Sequence, residues 1–384
     1  MKLPELLEQE WISLVRNPVV VVVVFFGVLF YSFLYPLPYA QQTPTEQKLV
    51  IVNLDNSQVS YTLERMIDAT QQVEVIERVS SIEKAKQKVV EKKAAGLIVI
   101  PEYFYKDLLL GRSPTLAYAG DASYFLVYGA IVEGLAHSGA TLGAQVKVAQ
   151  LLASGQPISM AAKQHSVVSL NSKPTFNPGM GYMSYVVPAV FVLILQQTLV
   201  MAAGLMVATQ RGKEGYWNKV PAGQLLLTRT LVLVGVYYLL SMFYFGVSFE
   251  MYGISKMARA GQVLTMLLPF LIGCCLVGYV LGYIVPRREW VSVLVLLSSM
   301  PLIFMSGFIW PVELIPAPLL LLVDFFPSTI AIKAFLSLNQ VGADWSSVGN
   351  YYCHLWLICT WWFILIWFQV KSPLSLSANK SVSI

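Results

Sequence analysis

Apolar positions fall along this chain in two arrangements. Runs of about twenty apolar residues, the length a membrane-crossing helix needs, or nearly that, occur at Pro18–Tyr35, Gly181–Thr209, Leu231–Phe249, Val263–Val285, Trp290–Ile309 and Tyr351–Val370. Between the first two runs the pattern changes to short strand-type segments alternating with helical ones. Lys48–Leu54 reads as a strand, and Asp55-Asn56-Ser57 closes it with residues that start the helix Gln58–Ala69. Val73–Ile76, Leu97–Ile100 and Thr115–Tyr118 read as further strands, with helices at Ser81–Ala95 and Glu102–Leu110 between them. A long helical stretch, Ser123–Leu152, and a β-like piece at Ser166–Leu170 are expected to form a stalk. The pattern predicts a polytopic α-helical membrane protein with six transmembrane helices and an α/β domain inserted between helices 1 and 2. Its divisions are 1–40, 41–180 and 181–384.

Ahead of the first span, Leu3, Leu7, Trp11 and Leu14 recur at helical spacing, with Glu5, Glu8 and Gln9 off that stripe. This predicts a short amphipathic helix, which serves equally well as an interfacial anchor or as a contact for a partner. The first apolar run exceeds a usual signal core. Acidic Glu5, Glu8 and Glu10 precede it, and Pro38 disfavours cleavage after Ala40, so it is expected to stay as an anchor.

Composition agrees with a membrane protein: 56% of residues are hydrophobic and only 12% charged, half of what a soluble globular chain carries. The net charge of +5 is unevenly placed. Residues 41–180 carry thirteen basic and twelve acidic groups, whereas residues 181–384 carry eleven and six. With the N-terminus in the cytoplasm, ten basic residues, among them Arg211, Lys213, Lys219, Arg229, Arg287 and Arg288, fall on the inside. Only Lys256, Arg259 and Lys333 fall in the opposite short loops. The positive-inside rule therefore favours cytoplasmic N- and C-termini and an extracytoplasmic 41–180. The charge excess is a topology signal and gives no reason to expect a nucleic-acid partner. The lysines at 84, 86, 88, 92 and 93 are interleaved with Glu83 and Glu91, as on a solvated helix face. Asp55 and Asp121 follow strands, where capping and turn formation account for them.

Four cysteines and three scattered histidines offer no metal-ligand spacing and no nucleophile–base pair, so neither a metal, a cofactor nor a catalytic site is expected. The chain has no G-x-x-x-x-G-K-[ST] motif: its Gly212-Lys213 pair is followed by Glu214. It is not expected to be an enzyme, and any ATP hydrolysis belongs to a separate subunit. Ion-coupled carriers place ionisable groups within their spans. Here the strongest internal polar pair is Gln196 and Gln197, candidates to line a pathway.

The loop Gln210–Pro221 (QRGKEGYWNKVP) concentrates opposite charges, glycines and two aromatics, the composition of a docking element or of a positive-inside loop with an interfacial aromatic belt. Farther on, Pro311, Pro316, Pro318 and Pro327 break helices between the fifth and sixth spans. Backbone groups freed there must be buried in protein or hydrated, as in a re-entrant hairpin over residues 305–327.

One span, a large domain and five more spans, in this order, resemble the ABC-2 permease family, the membrane subunits of type-2 ABC exporters. IVNLDNSQVS (51–60) and AAGLIVIPEYFYKDLLLG (94–111) are similar to stretches in the branch of that family with a larger external domain. Arg211, Glu214 and Gly215 resemble its Arg-Glu-x-x-Gly-Thr coupling signature. They depart from it by the inserted Gly212-Lys213 and by Tyr216 in place of Thr. MSGFIWPVELIP (305–316) and FFPSTIAIKAF (325–335) resemble its re-entrant turn and following amphipathic segment.

The resemblance implies a multi-pass protein of the bacterial inner membrane. It implies a permease forming a pathway for efflux of an amphipathic or hydrophobic substrate, with a second permease subunit, identical or related. It implies a separate ABC ATPase contacted by Arg211, Lys213, Glu214, Gly215, Tyr216 and Trp217, and an outer gate shaped by Gly307, Pro311 and Pro316. A periplasmic adaptor and membrane lipid are further expected partners. Two other readings stay open on the residues alone: a receptor or scaffold acting through residues 41–180, and an ion-coupled carrier.

Overall fold

The structure, a computed structural model, describes residues 2–40, 44–155, 157–158, 175–177 and 181–371. The chain opens with helix α1 (Leu3–Arg16) and a helical span α2 (Pro18–Tyr39) that contains a π-helical stretch, Val22–Gly27. Then come β1 (Gln47–Asn53), α3 (Gln58–Asp68), β2 (Val73–Val79), α4 (Ile82–Val90), β3 (Gly96–Ile100), α5 (Phe104–Leu109), β4 (Ala117–Gly120) and α6 (Phe125–Ala153). The last stretch holds α7 (Val186–Gln210), α8 (Ala222–Met251, with π-helical Phe243–Ser248), α9 (Ala260–Ile284) and α10 (Glu289–Met305). It closes with α11 (Ala317–Val323), α12 (Pro327–Asn339) and α13 (Trp345–Lys371).

Contacts divide the chain into two compact units, one of residues 1–40 with 175–384 and one of residues 41–174. In the second unit a four-stranded sheet has the order β2-β1-β3-β4, with β1 parallel to both β2 and β3, and β4 antiparallel to β3. The sheet is a sandwich filling because β1 is apolar on both faces. Leu49 and Ile51 pack with Leu63 of α3 and Ile131 of α6, while Val50 and Val52 pack with Ala85 of α4. Ser57 caps α3 by accepting from the Ser60 N–H at 3.1 Å. The β-like piece expected at 166–170 lies outside the described residues.

In the helical unit α7 is buried along nearly its whole length. Its neighbour α9 approaches to backbone contact. A Cβ built on Gly278 would stand 2.6 Å from the Val200 carbonyl, and one on Gly282 would stand 2.5 Å from the Gly204 carbonyl. Glycines four apart on α9 thus open the groove that Gly204 enters, the small-residue packing that membrane helices use in place of a hydrophobic driving force.

The expected spans need two corrections. Among the described residues six single helices are long and apolar enough to cross a membrane, α2, α6, α7, α8, α9 and α13. The fifth expected run is shorter than anticipated: α10 has 17 residues and stops at Met305, before Gly307 at φ +85°. The expected stalk helix α6 meets the same length and apolarity test, although its contacts place it in the α/β unit. Finally, α8 begins at Ala222 rather than near Leu231, which puts Arg229 inside a helix and not in a loop.

Candidate functional site

Two neighbouring features of the helical unit hold its polar chemistry. The first lies where α7 ends and α8 begins. The face of α1 that turns inward is Leu6, Glu10 and Leu14, an i, i+4, i+8 stripe. The expected stripe differs, since Leu3 and Trp11 are exposed. The physical reason sits across the interface: α1 packs on α8, and there Arg229 is as buried as Glu10. The guanidinium Nε and Nη2 donate to the two Glu10 oxygens at 2.8 and 3.0 Å. Tyr216 of the loop donates its hydroxyl to Glu10 Oε1 at 2.9 Å. Gln210, the last residue of α7, accepts from Arg229 Nη2 and donates to Ser13 Oγ of α1 at 3.2 Å. Burial first, and then the Glu10 charge, push the Tyr216 phenol above its ordinary range, so it stays a donor.

A buried ion pair is tolerated only when its remaining hydrogen-bonding capacity is met. Here a bidentate fork plus Tyr216 and Gln210 meet it. The cluster joins four segments: α1, the end of α7, the loop and α8. Sequence reasoning missed it. Two signals were available: a carboxylate at the centre of the Leu6/Leu14 stripe, and a lone arginine within an otherwise uncharged helix-forming stretch.

The loop itself is closely built. Arg211 donates Nη1 to the Tyr283 carbonyl at 2.6 Å and Nη2 to the Val285 and Pro286 carbonyls at 2.6 and 3.3 Å. These are carbonyls left without partners at the end of α9, where a cation is also favoured by the helix dipole. Gly212 takes φ +74°, which turns the chain away from α7. The Trp217 indole donates to the Lys213 carbonyl at 3.1 Å, as does the Asn218 side chain, and the Trp217 ring lies against Gly215 where a Cβ would stand. Lys213 and Glu214 project outward, exposed and with no ion pair among the described residues. Of the six residues expected to couple, Arg211 and Tyr216 therefore hold the loop in place, Gly215 and Trp217 shape it, and Lys213 and Glu214 present charge.

The second feature is a cavity of about 320 Å³ bordered by α7, α9 and α10, with Phe326 and Trp362 at one side. Gln196 and Gln197 both border it. Gln196 is already committed, because its Oε1 accepts from the Ser328 N–H at 2.6 Å. Pro327 starts α12 without an N–H, so Ser328 carries a free donor of that helix, and Gln196 caps it from another helix. Gln197 is half-buried and makes no side-chain hydrogen bond among the described residues. The elbow between α11 and α12 bends by 90°, the geometry of a broken span or a re-entrant loop. Its Phe325 carbonyl accepts from the Trp362 indole at 2.8 Å, so backbone freed by the break is paired from α7 and from α13. Gly307 packs against Val312, while Pro311 and Pro316 start the short turns Val312–Leu314 and α11.

In the α/β unit, Asp121 accepts from the Ser123 N–H at 2.9 Å, which holds its carboxyl below the usual range, and Asp55 faces the Tyr105 N–H at 3.4 Å. Both act as turn and helix-start groups. Glu64 is buried and takes Asn53 at 2.6 Å and Arg78 at 2.9 Å, a network fastening α3 to β1 and β2. Among the described residues no three His, Cys, Asp or Glu gather as metal ligands.

No curated protein matches this sequence. A family model described as ABC-2 family transporter protein matches residues 19–368. That span takes in both units and every residue of the loop, the cavity and the elbow, and the chain belongs to the ABC-2 transporter family.

Proposed function

We propose that the chain is the membrane subunit of an ABC-2 exporter, moving an amphipathic or hydrophobic substrate outward under the control of a separate ATPase. The observation that carries this reading is the buried Glu10–Arg229 pair with Tyr216 on Glu10. It fastens an exposed charged loop to α1 and α8, so a push on Lys213 and Glu214 is delivered to a helix rather than absorbed by a loose segment. Two permeases and two ATPases would form the working assembly, in a bacterial inner membrane. The loop 210–221 and both termini would face the cytoplasm, and residues 41–180 the other side, within reach of a periplasmic adaptor. Gln197 and the apolar wall of the 320 Å³ cavity would border the pathway. Gly307, Pro311 and Pro316 would shape its outer end.

Purification of the tagged permease together with a candidate ATPase tests the reading. Glu214→Lys is expected to lower recovery of the ATPase while the permease yield is kept. Unchanged recovery with this variant removes Glu214 from the docking surface, and absence of any ATPase from the wild-type preparation removes the exporter reading.

A further inference from the structure

The α/β unit contains a cavity of about 900 Å³ that is open to the surface. It is bounded by α5, the loop 111–116, β4 and one side of α6. The sequence of α6 is apolar on two adjoining faces. Ile131, Leu135, Ser138 and Leu142 turn into the core beneath the sheet. Val132, Ala136, Gly139, Gly143 and Val146 recur at helical spacing on the adjoining face and line the cavity together with the core's edge at Leu135 and Leu142. A Cβ built on Gly143 meets nothing within 4 Å, and one on Gly139 meets only Leu116 at 3.9 Å, so the room left by these glycines is filled by nothing described. Protein interiors hold few voids larger than a water molecule. A space of this size is in the range of sites for small ligands.

The charge at its border has one sign. Lys147 and Arg112 line the cavity, and no aspartate or glutamate does. Arg112 shares its charge with Asp107 at 3.2 Å, whereas Lys147 makes no ion pair among the described residues. Gln150 closes one end by donating to the Leu108 carbonyl at 2.6 Å. From the apolar trough and cationic border, we propose that this cavity binds a single-chain anionic amphiphile: the alkyl chain lies along the small-residue side of α6 and the carboxylate or phosphate meets Lys147. This goes beyond the transport reading and does not depend on it. The site can fail while coupling to an ATPase stands, and the reverse.

The test is photolabelling of the full-length protein in membrane vesicles with a long-chain fatty acid carrying a diazirine, followed by peptide mapping. Label is expected within residues 104–150. It should be displaced by excess unlabelled fatty acid and lowered at least about tenfold by Gly143→Trp, which fills the trough. Lys147→Gln should lower fatty-acid labelling about three- to fivefold and leave labelling by the matching long-chain alcohol unchanged. A labelled alkyl phosphate competing as well as the acid assigns the head group as any anion and supports the site. Where Gly143→Trp lowers yield, Ala140→Phe fills the same trough. Label confined to the membrane-spanning helices, label undiminished by either filling variant, or the alcohol and acid affected alike by Lys147→Gln overturns the proposal.

Discussion

The carboxylate of Glu10 and the guanidinium of Arg229 meet at 2.8 Å across 219 residues of chain, both fully removed from solvent. Removing one member of such a pair leaves an unpaired buried charge, at a cost of about 3–5 kcal/mol. Glu10→Ala and Arg229→Ala are each expected to lower the thermal midpoint in detergent markedly. The double substitution Glu10→Met with Arg229→Met should recover most of that loss, since well-packed apolar residues often replace a buried pair without penalty. A double-mutant cycle read by intrinsic fluorescence checks this; additive losses would mean the two side chains act separately.

Arg211 and Glu214 lie three residues apart and are expected to fail differently. Arg211→Ala strips the end of α9 of its donor to three carbonyls. It should cost about 1 kcal/mol of stability, the net worth of hydrogen bonds whose carbonyls water can reach. Glu214→Lys changes an exposed charge and should leave stability within about 0.5 kcal/mol of wild type, while ATPase recovery falls. Thermal scans and co-purification of both variants separate the roles.

Gln196 and Gln197 divide in the same way. Gln196→Leu orphans the Ser328 N–H and is expected to destabilise by about 1–3 kcal/mol. Gln197→Leu breaks no hydrogen bond among the described residues. Its effect should appear in a transport assay and not in the melting curve.

The close approach of α7 and α9 gives a further prediction. Gly282→Val places methyl groups into the Gly204 backbone, an overpacking worth about 1–3 kcal/mol or more because backbone cannot yield as a side chain can. Gly223→Ala, on α8 where a Cβ meets nothing within 4 Å, is the matched control and should be neutral or slightly stabilising. Folded yield by size-exclusion chromatography compares the two.

What could be read from the sequence followed from periodicity. The strand–helix alternation of 48–118 is legible because β1 needs apolar residues at successive positions and its neighbours carry their own caps, such as Ser57. The span lengths were less legible. Hydropathy runs on past Met305, yet Gly307 ends α10 by its backbone angle, and α6 is apolar for reasons of the α/β unit. Of the site, Lys213 and Glu214 could be picked out as a charged loop. The pairing of Glu10 with Arg229 could not, because a contact across 219 residues leaves no local period. The fit of Arg211 to the end of α9 is likewise hidden, because it depends on where another helix stops.

In the proposed assembly, α1, the loop and the start of α8 move as one body when the ATPase acts. Hydrogen–deuterium exchange on the assembled permease–ATPase complex, with and without trapped nucleotide, tests it most directly. Residues 3–16, 210–219 and 222–230 are expected to change protection together, and to lose that concert in Glu10→Gln. A change confined to the loop, with α1 and the first turns of α8 unaffected, would contradict the account.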